Sequence, residues 1–199
     1  MNTTLFLNAF TSYFVVIDPI GAALIFYSLT LGRTFRQRLR VILKATGIAA
    51  AVILMFALVG EGLLTTLGIS MDALRVAGGI LLFNTAFRMI TSAPLPDKPT
   101  DRSVGDIAVY PLAIPLMAGP GTLTITVLLM ADADSPANQG WVIAAVISVL
   151  LVTLAAGLLA SQIRKVIGKT GDEIIQRLLG VILAALAIQF VANGANGLF

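Results

Sequence analysis

The 199-residue sequence contains no cysteine and no histidine. The first absence removes disulfides, thiolate metal sites and thiol nucleophiles, and the second removes imidazole proton relays. Cysteine usage therefore says nothing of the redox compartment. Charge is also scarce, at 12% of residues against 58% apolar, and the mean hydropathy is +0.97. A water-soluble chain of this size needs far more polar surface, whereas lipid accepts apolar side chains on the outside. The net charge of +3 does not mark a nucleic-acid binder, because the thirteen Lys and Arg residues fall in short patches between apolar runs.

The same absences argue against enzyme chemistry. An intramembrane protease needs a Ser–His or Ser–Lys pair, a zinc motif, or two facing aspartates at mid-membrane. With no histidine and Asp18 the one carboxylate near mid-span, none can be assembled. Phosphate loops and dinucleotide fingerprints are missing too, so neither an enzyme nor a cofactor is expected.

What the chain does have is long apolar runs. Segments of the roughly 20 residues that a helix needs to cross a bilayer fall at 5–31, 40–67, 71–91, 107–131, 139–163 and 174–197. The expected fold is all-α: a single transmembrane domain over 1–199 with six spanning helices. The first run contains Asp18-Pro19 and has no basic segment before it, so it is expected to be a permanent helix, not a signal peptide. Cations cluster at alternate joints: Arg33, Arg36, Arg38, Arg40 and Lys44; Arg88, Lys98 and Arg102; Arg164, Lys165, Lys169 and Arg177. The other joints hold Asp72, Asp132 and Asp134 with the single cation Arg75. The positive-inside rule makes the first set cytoplasmic and puts both termini outside.

An offset of about one hundred residues brings out an internal repeat. Asp18-Pro19-Ile20-Gly21 falls opposite Gly119-Pro120-Gly121, and Leu67-Gly68 opposite Ile167-Gly168. Arg75, Gly78, Ile80 and Leu81 fall opposite Arg177, Gly180, Ile182 and Leu183. The expected halves are 1–92 and 106–199, joined by a cytoplasmic Pro-rich loop at 93–105 with Pro94, Pro96 and Pro99. Three spans per half is an odd number, so the second half enters from the opposite side. Inverted repeats of this kind are characteristic of transporters, although Gly and Leu also recur by chance in apolar helices.

Helices 1 and 4 are each expected to break inside the membrane. Pro19 has no amide hydrogen to give to the Val15 carbonyl, and Gly21 eases unwinding, so Asp18 caps a second half-helix that starts at Pro19. In helix 4, Pro115 and Pro120 release the carbonyls of Pro111 and Leu116, and Pro120 begins the second half. Irregular backbone at membrane depth must be buried in protein or line a wet cavity, so the two breaks should face each other. Each is expected to expose amide donors, over Ile20 to Ala23 and Gly121 to Thr122 and beyond to Thr124, beside acceptor carbonyls. Donors for a carboxylate next to acceptors for an ammonium group suit a small zwitterion. The alternative is that Pro and Gly only kink the helices for packing.

The candidate substrate site is thus Asp18, Pro19, Ile20, Gly21, Gly119, Pro120, Gly121 and Thr122. Asp18 has three compatible roles: helix cap, ammonium ligand, and carrier of a coupling proton. Second-rank candidates are Asn84, Gln189 and Glu61. The first two also suit interhelical hydrogen bonding, and Glu61 suits an access path or a pair with Arg75. Thr11, Ser12, Thr124 and Thr126 sit beside the breaks, though helix hydroxyls usually bond their own backbone. Gly47, Gly78 and Gly79 fit close helix packing. The expected partners are a small-molecule substrate, protons and the bilayer, with no nucleic acid. The oligomeric state is not encoded.

Three segments together resemble the MarC family: Val16-Ile17-Asp18-Pro19-Ile20-Gly21, Arg75-Val76-Ala77-Gly78-Gly79-Ile80-Leu81-Leu82-Phe83, and Tyr110-Pro111-Leu112-Ala113-Ile114-Pro115-Leu116-Met117-Ala118-Gly119-Pro120-Gly121. The resemblance implies a six-helix inner-membrane protein related to the LysE-type exporters. It also implies, by similarity to the SnatA kind of transporter, proton-coupled movement of small neutral amino acids such as glycine and alanine. By motif match it assigns substrate contact to Asp18, Pro19, Ile20, Gly21, Gly119, Pro120 and Gly121. The family motif continues as G-N-x-P, whereas Gly21 here is followed by Ala22, Ala23 and Leu24. That departure implies a more apolar pocket with a larger neutral substrate, or a loss of transport. The alternatives are an exporter of another small solute or drug, a passive channel, and a membrane scaffold.

Overall fold

The computed structural model describes residues 3–91 and 107–198. Eight helical elements follow one another: α1 (Thr3–Ile17), α2 (Pro19–Leu29), α3 (Phe35–Leu67), α4 (Met71–Thr91), α5 (Ala108–Met117), α6 (Pro120–Ala131), α7 (Pro136–Leu158) and α8 (Ala160–Leu198). Among the described residues five helical stretches are long and apolar enough to span a membrane, with α1 and α2 counted as one of 27 residues. A sixth crossing forms when α5 and α6 are joined across their 48° bend. At a rise of about 1.5 Å per residue, the 27-residue stretch is roughly 40 Å long, more than the hydrocarbon core requires. The chain is an integral, multi-pass membrane protein.

The capping chemistry sets the ends. Thr34 and Gln37 form a reciprocal capping box at the start of α3, and Gly68 closes it with a left-handed φ of 69°. Ser135 caps α7, with Pro136 at its first helical position. Between the apolar runs 139–163 and 174–197 the backbone stays helical except at Gly168, whose φ of 66° kinks α8 between a short first piece and the span beginning at Glu173. Glycine tolerates this conformation at no steric cost, so one residue suffices to redirect the chain. The Pro-rich connection, with Pro94, Pro96, Pro99, Lys98 and Arg102, lies outside the described residues.

Packing is inside out relative to a soluble protein. Each outer helix buries one narrow stripe, such as Val41, Ile42, Ala45, Ala49, Ile53, Ala57 and Gly60 on α3. Its other faces leave large apolar residues exposed, Leu58 at 75% and Met55 at 51% among them. That is the surface lipid requires. Small residues at the contacts let helices approach: a Cβ on Gly157 would lie 2.8 Å from Ile42, and one on Gly79 would lie 2.7 Å from the Ala187 carbonyl oxygen. Gly79 against Val191, and Gly180 against Met89 and Ile90, make α4 and α8 an antiparallel pair. Gly47 does not share this role, since nothing lies within 4 Å of the space its Cβ would take.

The first broken span and the helix after the second break, α6, are well enclosed in the bundle. In the apolar 18-residue window of Thr3–Leu29, 56% of residues are buried, against 17% in that of Glu173–Leu198. On α6 all positions from Thr124 to Leu128 are buried, together with Gly121, Thr122 and Met130. At the breaks themselves Pro19, Gly21, Ala118, Gly119 and Gly121 are buried, as irregular backbone at membrane depth demands, whereas Tyr110 and Ile114 of α5 are exposed at 60% and 42%.

Candidate functional site

At the first break Asp18 adopts a left-handed conformation (φ 50°, ψ 72°). Its Oδ1 accepts the Gly21 amide at 3.0 Å, and its backbone carbonyl accepts the Ala22 amide at 2.8 Å. Aspartate tolerates this region better than most residues because its short side chain can bond locally. Glycine at 21 leaves room for the Asp18 carboxylate, which a Cβ there would displace from its present position. The expectation of open donors from Ile20 to Ala23 is corrected in consequence: Asp18 itself takes two of those amides, Gly21 and Ala22. This break presents a carboxylate.

The second break is built differently. Tyr110 and Ile114 are extended (φ −131° and −129°, both with ψ 123°), so α5 is irregular and not a regular half-helix. Each precedes a proline, whose ring disfavours helical geometry in the residue before it. The chain re-enters a helix at Pro120 after an extended Gly119, and no side chain caps the new N-terminus. A Cβ at Gly119 would collide with the Pro115 carbonyl oxygen. This break presents the positive end of a helix dipole.

The two breaks meet. A Cβ on Gly121, in the first turn of α6, would collide with Leu82 and lie 3.5 Å from Val16 in the last turn of α1. On one side of this contact is a cavity of about 470 Å³, lined from the first break by Asp18 and Gly21 and from the second by Pro111, Pro115, Leu116 and Pro120. Its remaining wall is Val16, Ile17 and Ile25, then Leu81, Asn84, Thr85, Arg88 and Met89 of α4, and Gln176 of α8. It runs toward the end of the bundle that carries Arg88 and Gln176. A water molecule's share of liquid volume is about 30 Å³, so a small solute fits there with water to spare.

Of the candidate residues, Asp18, Gly21, Pro120 and Asn84 line this cavity, while Pro19, Ile20, Gly119, Gly121 and Thr122 adjoin these in the chain without lining it. Gln189 points elsewhere and donates to Asn193 on its own helix at 2.7 Å, so it is not an interhelical bond. Glu61 is exposed and does not pair with Arg75, whose partners are Asp72 at 2.8 Å and Asp132 at 3.0 Å. Ala22, Ala23 and Leu24 are buried and absent from the lining, so the departure after Gly21 changes the packing and not the pocket wall. The threonines bond as helix hydroxyls do: Thr124 donates to the Pro120 carbonyl at 2.9 Å and Thr126 to that of Thr122 at 2.7 Å. Of the cavity face on α4 the sequence pointed only to Asn84; Arg88 counted there as a topological cation, and Gln176 of α8 not at all. The available signal was the spacing of Leu81, Asn84, Thr85, Arg88 and Met89 on one helix face.

Beyond the contact, toward the other end of the bundle, a second cavity of about 310 Å³ is lined by Ser12, Arg75, Asp132 and Asn193 with Ile125, Leu128, Leu129 and Phe190. The two cavities have no lining residue in common. The hydroxyl of Tyr13 donates to Thr126 Oγ1 at 3.1 Å in the same region, tying α1 to α6.

Residues 3–199 match a family model described as MarC family integral membrane protein. A UPF0056 membrane protein of Methanocaldococcus jannaschii is 37% identical, over 99% of this chain and 98% of the relative. One of Pyrococcus abyssi is 34% identical over 96% and 94% of the two chains, and the UPF0056 membrane protein YvbG of Bacillus subtilis is 31% identical over 96% and 94%. No solved structure matches the chain significantly.

Proposed function

The chain belongs to the MarC family of integral membrane proteins, and from that premise we propose that it is a secondary transporter of a small neutral amino acid, glycine- or alanine-like and coupled to protons. The observation that carries this reading is the pairing of two unlike helix breaks on one cavity, with the Asp18 carboxylate at one and the uncapped start of α6 at the other. An ammonium group is attracted to the first and a carboxylate to the second. Asp18 is also the group that takes up the coupling proton. No enzymatic step and no cofactor form part of this reading.

Alternating access accounts for the rest of the architecture. The two cavities share no lining residue, and the Gly121–Leu82 contact is tightly packed, which favours a carrier over a passive pore. The repeat supplies the hinge logic: Gly68 and Gly168 share a left-handed φ, and Pro19 and Pro120 each begin a half-helix. The contacts Gly79–Val191 and Gly180–Met89 exchange under the same offset of about one hundred residues. The basic end is cytoplasmic by the positive-inside rule, so the central cavity faces the cytoplasm, both termini lie outside, and the membrane is the inner (plasma) membrane. The test is uptake of radiolabelled glycine, alanine and serine into proteoliposomes with and without a pH gradient. Saturable, gradient-driven uptake is expected, and folded protein that moves none of the three would sink the proposal.

A further inference from the structure

Helix α4 has three distinct faces. Gly78, Gly79, Leu82 and Ala86 are buried against its neighbours, and Ile80, Phe83 and Phe87 are exposed and apolar, as lipid requires. The third face, from Leu81 through Asn84, Thr85, Arg88 and Met89, lines the central cavity. Thr85 spends its hydroxyl on the Leu81 carbonyl at 3.0 Å. Asn84 and Arg88 have no hydrogen-bond or ion-pair partner among the described residues. Arg88 and Asp18 are the two charged residues of the cavity wall, and they have opposite sign.

A topological arginine is counted by the positive-inside rule whichever face it occupies. This one stands on the cavity face, one turn beyond an unpaired amide. Seven residues separate it from Leu81, a rise of about 10 Å along α4, which puts it toward the mouth while Asp18 stands at the helix break. A guanidinium keeps its charge at any relevant pH and offers a planar fork that matches a carboxylate with two parallel hydrogen bonds.

We propose that Arg88, with Asn84 one turn deeper, forms a second, shallower subsite that captures the carboxylate of the incoming solute before its ammonium group reaches Asp18. The subsite rests on the transport reading above and sharpens its substrate class: solutes that carry a carboxylate are admitted, and amines without one are not. An amino acid therefore binds in two steps, carboxylate first.

The experiment uses the full chain in nanodiscs. Binding of propionate, which has the carboxylate and lacks the amine, is followed by ligand-observed NMR, and alanine uptake is followed in proteoliposomes with propionate or alaninamide as competitor. In the native protein propionate binds and competes while alaninamide does not. Arg88→Gln weakens propionate binding at least tenfold and raises the half-saturation for alanine by a similar factor. Arg88→Lys falls between, because an ammonium keeps the charge without the fork. Unchanged propionate binding in Arg88→Gln, or native protein that binds no propionate, overturns the subsite. Propionate binding that depends on Arg88 in protein that transports no amino acid keeps the subsite and overturns the transport reading.

Discussion

Arg75 Nη2 lies 3.0 Å from Asp132 Oδ1 and so ties α4 to the end of α6, while Arg75 Nη1 holds Asp72 at 2.8 Å. The pair stands beside the second cavity, at the end of the bundle opposite Arg88. Asp132 is 61% exposed, so its loss is expected to cost no more than about 1 kcal/mol of stability. The larger effect concerns access. The chain has no native cysteine, so a single Ser12→Cys reports on this cavity without background. Maleimide is expected to label it several times faster when Asp132→Asn is added. Equal labelling rates would show that the ion pair does not hold this end closed.

The contact between the two breaks predicts a paired effect. Gly121→Ala is expected to destabilise the protein by about 1–3 kcal/mol, because its Cβ meets the buried Leu82. Leu82→Ala in the same chain removes the obstructing side chain and is expected to recover part of the loss. Thermal unfolding of the single and double variants in detergent checks this. Additive losses would mean that the two residues do not press on each other.

Asp18 separates cap from charge. Asp18→Asn keeps an oxygen for the Gly21 amide, so the folded state is expected to persist, whereas Asp18→Ala loses the cap at a cost of about 1 kcal/mol. Both are expected to abolish gradient-driven uptake, since neither carries a proton. Pumping against a pH gradient that survives in Asp18→Asn would leave the residue a cap alone.

Two glycines of similar sequence appearance are expected to behave oppositely. Gly79→Ala drives a methyl toward the Ala187 carbonyl oxygen and the Val191 amide, backbone atoms that cannot swing away, and loses stability. Gly47→Ala enters open space on α3 and gains up to about 1 kcal/mol from helix propensity. Unfolding temperatures of the two variants compared with the parent decide it.

Much of this architecture was legible because it is local. Apolar run length locates a span, and a proline ring blocks its own helical bond and disfavours helix in the residue before it, wherever the chain later goes. Hence the spans, the half-helix beginning at Pro19 and the one beginning at Pro120 all follow from residues read in order. The irregularity of α5 was less legible, although Tyr110 and Ile114 both precede proline, because an apolar stretch of that length also suits a plain helix.

Local chemistry could not say which groups are spent and which are left over. Asp18 uses Gly21 and Ala22 of its own chain, and Arg75 chooses Asp72 and Asp132 over Glu61. Arg88 is indistinguishable in sequence from any other cation near a membrane surface until the rotation of α4 is known. The sequence by itself determined that this is a multi-pass helical membrane protein with two broken spans, since hydropathy and proline act within a few residues. That the breaks should face each other followed from the sequence; only the tertiary structure decided that Asn84 and Arg88 line the cavity between them. Helix rotation is set by which small residues pack against which neighbours, and that depends on contacts a hundred residues apart.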